Sequence, residues 1–180
     1  MTRPQNLHED LHIAPGPSGW RATLDDGRAF ACAIGWGGTV AAEAKREGDG
    51  ATPLGCWPLR RVLYRPDRGS PPATALPVTA LTPEDGWCDD PAHAAYNTQV
   101  ALPFAAGHEV LWRADGLYDI VAVLGHNDDP PVPGAGSAIF LHVMRPDGGP
   151  TAGCVALARP DLESVLAALG SGSRLCVAES

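Results

Sequence analysis

Strand-like hydrophobic patterns dominate this chain. Trp20 to Leu24 and Arg28 to Ile34 flank Asp25-Asp26-Gly27, a combination that predicts a hairpin. Trp57 to Tyr64 reads as a strand entered from Pro53-Leu54-Gly55, and Leu76 to Leu81 and Val100 to Leu102 as shorter ones. Leu117 to Leu124 is nearly all apolar over its second half, as expected of a strand buried on both faces. In Ile139 to Met144 the period of two sets Ile139, Leu141 and Val143 on one face. Phe140, His142 and Met144 fall on the other, so the histidine leaves the sheet opposite the aliphatic set. Arg174 to Ala178 is expected to close the chain as an edge strand.

One helix stands out. Pro160-Asp161-Leu162-Glu163 opens it, with proline in the first turn and acids near the positive end of the dipole. Leu162, Val165, Leu166 and Leu169 form its apolar stripe, and Gly170 stops it. A weaker helix is predicted over Ala92 to Tyr96. The segments 66–74, 125–136 and 145–150 are too rich in proline and glycine for regular structure. These signals together predict a mainly β fold, a mixed-sheet β-sandwich with one or two short helices.

Composition adds bounds. A length of 180 residues suits one domain spanning 1–180, with 1–19 as a flexible N-terminal segment. The 21 glycines and 18 prolines favour many short strands joined by turns. The net charge of −8, with basic residues scattered apart from Arg60, Arg61, Arg65 and Arg68, argues against a nucleic-acid surface. No apolar run is long enough to span a bilayer, and the first ten residues lack the apolar core of a secretory signal. Cys32, Cys56, Cys88, Cys154 and Cys176 are irregularly spaced and odd in number. No disulfide framework or zinc-binding pair follows from that spacing, and all but Cys154 read as small buried hydrophobes.

The chemistry concentrates in residues 140–155. An apolar strand carries His142, a Pro/Gly-rich loop follows, and Thr151-Ala152-Gly153-Cys154 leads into a second apolar run. A thiol becomes a strong nucleophile when a neighbouring imidazole can take its proton. A glycine before it lets backbone N–H groups approach a developing oxyanion. Cys154 is therefore the expected nucleophile and His142 the expected general base of an acyl transfer. The long loop 125–136 just ahead of His142 is a natural place for binding residues. There, Asp128-Asp129 with His126 could suggest a metal, but an Asx-type turn before Pro130 is the better reading. His126 and Asn127 then become candidate substrate contacts. Trp87 and Tyr96 could form a sugar or peptide platform, although aromatics in a β domain are more often core. The run Lys45 to Gly50 reads as a solvated loop, or as one that orients Thr52-Pro53 across the cleft.

The arrangement of a histidine, a loop and Ser/Thr-x-Gly-Cys resembles the active-site motif of the YkuD-type L,D-transpeptidases. Upstream, Thr52-Pro53-Leu54-Gly55-Cys56-Trp57 is similar to that family's Thr-Pro-x-Gly-x-aromatic segment. The resemblance implies cross-linking of peptidoglycan stem peptides through a Cys154 thioester, with meso-diaminopimelate as acceptor. It also implies that the Val143 carbonyl holds one ring nitrogen of His142 and that the N–H groups of Gly153 and Cys154 form the oxyanion hole, with Thr151 in the motif loop. It requires no cofactor or metal, and implies a periplasmic location, although no signal peptide is readable, and a monomer. Two positions depart from the family pattern: Ala152 stands where a second histidine is usual, and Ala156 where an arginine is usual. His126 or one of Arg60, Arg61 and Arg65 is expected to supply the missing contacts. The variant motif looks closer to a divergent proteobacterial branch that forms 1–3 rather than 3–3 cross-links. An L,D-carboxypeptidase or amidase on the same scaffold, or a non-catalytic wall-binding module, stays open as an alternative.

Overall fold

A computed structural model describes residues 9–179. Its strands, in chain order, are β1 (Leu11–Gly16), β2 (Gly19–Leu24), β3 (Ala29–Ala33), β4 (Thr39–Val40), β5 (Thr52–Pro53), β6 (Gly55–Tyr64) and β7 (Val78–Ala80). They continue as β8 (Asp85–Cys88), β9 (Gln99–Ala101), β10 (His108–Val110), β11 (Ile120–Leu124), β12 (Phe140–Val143), β13 (Val155–Leu157) and β14 (Arg174–Val177). The helix α1 (Arg159–Ala168) lies between the last two strands.

The main sheet runs β11-β12-β13-β3-β2-β1-β14-β6-β7, and β6 also pairs with β11. That extra pairing folds the sheet back on itself into two layers joined along β3 and β6. The sheet is mixed: β1–β14, β12–β13 and β6–β7 are parallel, the other pairs antiparallel. This is the mainly β, sandwich-like fold expected.

Between the layers lies the larger core. Leu11, Ile13, Leu24, Val62, Ala122, Leu141, Val155, Leu157 and Leu175 point into it from both sides. Leu162, Val165 and Leu166 of α1, and Leu169 just past its end, join them at 0–1% exposure, each contributing roughly 2 kcal/mol of burial. A second core sits on the outer face of β11, β12 and β13. Val121, Val123, Phe140 and Cys154 pack there against Trp87, Leu111 and Tyr118. The small sheet β10-β8-β9 covers this face. All five residues of β11 are therefore buried, because each face meets a different core.

Several expectations need correction. Residues 11–16, placed with a flexible N-terminal segment, form β1, paired on both edges by β2 and β14; residues 1–8 of that segment lie outside the described residues. β14 is likewise no edge strand, since β6 takes its other side. Residues 92–96 make successive turns, not a helix; a short 3-10 helix occurs at Ala42–Ala44 instead. Cys56 and Cys176, expected as buried thiols, form a disulfide. The antiparallel register of β6 and β14 sets them directly opposite each other, 120 positions apart in sequence. Cys32 and Cys88 are free and buried.

Candidate active site

β12 and β13 are parallel neighbours, with Leu141 opposite Val155 and His142 opposite Ala156. Leu141 and Val155 face the inner core, so by alternation His142 and Cys154 both face the outer side. They line one cavity of about 400 Å³ on that side, between the outer face of β12 and β13 and the covering β8–β10 region. Thr151, Ala152, Glu109, Tyr118, Lys45 and Glu47 border it as well.

The cysteine loop is held from three directions. Thr151 Oγ1 donates to the Cys154 carbonyl at 2.6 Å and accepts from the Gly153 N–H at 3.1 Å, closing a tight turn. The Thr151 backbone bridges to Gly35 in the loop after β3, donating to Ile34 and accepting from Trp36. Thr52 in β5 donates its hydroxyl to the Gly153 carbonyl at 2.9 Å and accepts from the Gly35 N–H at 2.9 Å. Gly153 has φ +133, and a side chain there would meet the Ala51 carbonyl at 3.0 Å, so glycine is required. The Gly153 N–H expected for an oxyanion hole is thus engaged by Thr151 in the resting protein.

The Cys154 thiol donates to the Ala138 carbonyl at 3.2 Å and accepts from the Phe140 N–H at 3.3 Å. Ala138 has φ 52 and is held there by Asn97, whose Oδ1 also receives the Trp87 indole N–H. His142 Nδ1 lies 2.8 Å from the Val143 carbonyl. A carbonyl only accepts, so Nδ1 carries the proton and Nε2 is the basic nitrogen. The edge-on ring of Tyr118, with centroids 5.3 Å apart, supports the imidazole.

Burial, aided by the nearby charge of Glu109, pushes the Cys154 thiol up to about 12. Burial, aided by Arg113, lowers His142 to about 4. Both effects disfavour charge in a closed site, so the resting pair is a neutral thiol and a neutral imidazole. Glu109 is also raised, by burial first, while the Tyr118 hydroxyl that donates to it at 2.7 Å works the other way.

A family model describing the L,D-transpeptidase catalytic domain, YkuD, matches residues 20–177. The chain belongs to the YkuD family. No curated protein and no solved structure matches it. In this YkuD domain both departures from the family motif, Ala152 and Ala156, line the cavity.

The remaining candidates lie elsewhere. His126 is buried edge-on against Trp57 with centroids 4.7 Å apart, and its Nδ1 has no partner. Asn127 ties its own loop together through Val132 and Gly136. Arg60 makes a two-bond pair with Asp128 at 2.8 and 3.0 Å, so the Asp128 carboxylate serves a salt bridge rather than an Asx turn. Trp87 is core, packed on Phe140. Tyr96 is buried and donates to Glu47, which places it behind the cavity wall. Arg61 bonds Gln99 and Arg65 lies over the Trp112 ring at 3.7 Å. None of these lines the cavity; the cations that do are Lys45, Arg113 and Arg145. Lys45 and Glu47 come from the run read as a solvated loop, yet Lys45 is buried and both line the cavity. Sequence reasoning missed Glu109, because β10 is three residues long and carries no pattern, and it missed Tyr118 as a cavity residue, because that position was read only as part of a buried strand.

Proposed function

We propose that this YkuD domain is a cysteine acyltransferase that joins peptidoglycan stem peptides. The observation that carries the reading is the shared cavity: Cys154 and His142 leave adjacent parallel strands on the same face. As substrate enters, His142 Nε2 takes the thiol proton while Sγ attacks a stem-peptide carbonyl. The tetrahedral oxyanion draws on the Cys154 N–H, joined by the Gly153 N–H as it gives up its long bond to Thr151. Collapse breaks the C–N bond, and His142 returns its proton to the departing amine, leaving a thioester. An incoming amine, the side-chain amine of meso-diaminopimelate, loses a proton to His142 and attacks the thioester. The C–S bond breaks and the thiol is restored.

The 1–3 type of cross-link is the proposed product, supported by small residues at both cavity positions where the family usually carries polar ones. A periplasmic site of action is supported by the Cys56–Cys176 disulfide, which suits an oxidising compartment. Among the described residues no helix is long and apolar enough to cross a membrane.

Incubation with muropeptides, followed by product separation and sequencing of dimers, tests the reading. New dimers with a thioester on Cys154 support transfer, and their connectivity reports 1–3 against 3–3. Trimmed monomers alone would replace it with a hydrolase, and the absence of any adduct on Cys154 with a binding module.

A further inference from the structure

The charges around the cavity are unevenly partnered. Each cation that lines it already has an acid: Lys45 pairs with Asp49, Arg113 with Asp115 and Arg145 with Asp147. The two carboxyl groups that line it, Glu47 and Glu109, have only hydroxyl partners, and no salt bridge reaches either among the described residues. Glu109 bonds the Tyr118 hydroxyl through Oε2, and its other oxygen is not among the buried, unpartnered atoms. Burial acts with the charges of Asp89 and Glu47 to raise Glu109 while that of Arg113 opposes them, and the charge of Glu109 bears on Cys154. A cation received at Glu109 would relieve the repulsion from those two acids and stand beside the sulfur.

We propose that Glu109 is a specificity-determining residue that receives the primary ammonium group of the incoming acceptor next to the Cys154 acyl group. The assignment rests on the transferase reading above. A carboxylate with a single neutral donor in a partly desolvated cavity binds an alkylammonium by a charge-assisted hydrogen bond. It offers nothing to a free carboxylate, and each lining cation already holds an acid of its own. The cavity therefore selects for positive charge on the acceptor. The ammonium gives its proton to His142, and the free amine then attacks the thioester carbonyl.

Glu109→Gln keeps the shape and the capacity to accept from Tyr118 while removing the charge. Steady-state transfer in the full chain, with acceptor concentration varied, should show acceptor KM raised about tenfold. Thioester formation on Cys154, followed by intact mass, should become faster, because a charge opposing the thiolate is gone. An unchanged acceptor KM overturns the proposal, and so does a parallel fall in both steps, which marks mere structural damage. If the wild-type protein forms no thioester, the transferase reading fails by itself. Calorimetric titration with meso-diaminopimelate then decides the ammonium site: binding lost in Glu109→Gln sustains it, and equal binding in both proteins sinks it.

Discussion

Thr52 and Gly153 are 101 positions apart, yet the hydroxyl of one donates to the carbonyl of the other at 2.9 Å. The same hydroxyl accepts from the Gly35 N–H. The upstream Thr-Pro segment is thus a clamp on the cysteine loop, and its resemblance to the family motif has a mechanical reason. Thr52→Val keeps the volume and leaves both buried backbone groups unpaired, at a cost of about 1–3 kcal/mol. Chemical denaturation should report that loss, and transfer activity should fall further because Cys154 is no longer held in place.

Gly35 packs tightly beneath this clamp, against both Gly50 and Gly153. A Cβ on Gly35 would lie 2.1 Å from the Gly50 carbonyl and 3.0 Å from the Gly153 Cα. Gly35→Ala must therefore push the cysteine loop away from the loop at Gly50. We expect destabilisation on the order of 2 kcal/mol or more and loss of transfer, read by thermal melting and product assay.

Acid should weaken the fold through two imidazoles. His126 and His142 are both lowered from 6.5 to about 4, chiefly by burial. Between pH 6.5 and pH 4 the unfolded chain binds protons that the folded chain refuses. Their contribution is complete above pH 6.5 and is lost as the pH falls toward 4, on the order of 3 kcal/mol each. Urea midpoints for the wild type and His126→Asn should diverge least at pH 5 and most at pH 7 if the neutral ring also packs well. The variant's pH slope across this window should be smaller by the uptake of one proton. An identical slope would show that His126 does not resist protonation.

The unliganded thiol should be sluggish. With Cys154 pushed up to about 12, alkylation by iodoacetamide should be slow at neutral pH and still rising at pH 10. A plateau near pH 7 would instead reveal a preformed thiolate and an activation that precedes substrate binding.

Reduction should loosen the join between β6 and β14. The Cys56–Cys176 link closes a loop of about 120 residues, for which chain entropy gives about 4–5 kcal/mol. Melting with and without dithiothreitol, and of Cys56→Ser with Cys176→Ser, should show a drop of about 10–20 °C.

The strands with strong local patterns were legible in the sequence: β2, β3, β6, β11, β12 and α1 all lie where their apolar periods placed them. His142 and Cys154 were legible as candidates from their residue types and the motif around them, and alternation gave the face on which His142 leaves its strand. What sequence could not supply was long-range register. Nothing local sets Cys56 opposite Cys176, and that pairing arises only because the final strand enters between β1 and β6. The same blindness explains Arg60, His126 and Trp87. Their residue types suit ligand contact, but Asp128, Trp57 and Phe140 had already engaged them. The short strands β8 and β10, too brief for periodicity, hid Glu109.

The position of β14 has a consequence for folding. Without residues 174–177 in place, β1 and β6 each present a bare edge of unsatisfied amides and carbonyls to any passing strand. A partly folded form that lacks β14 is therefore the one most open to intermolecular pairing, and a factor that shields those two rims would have its greatest effect on it.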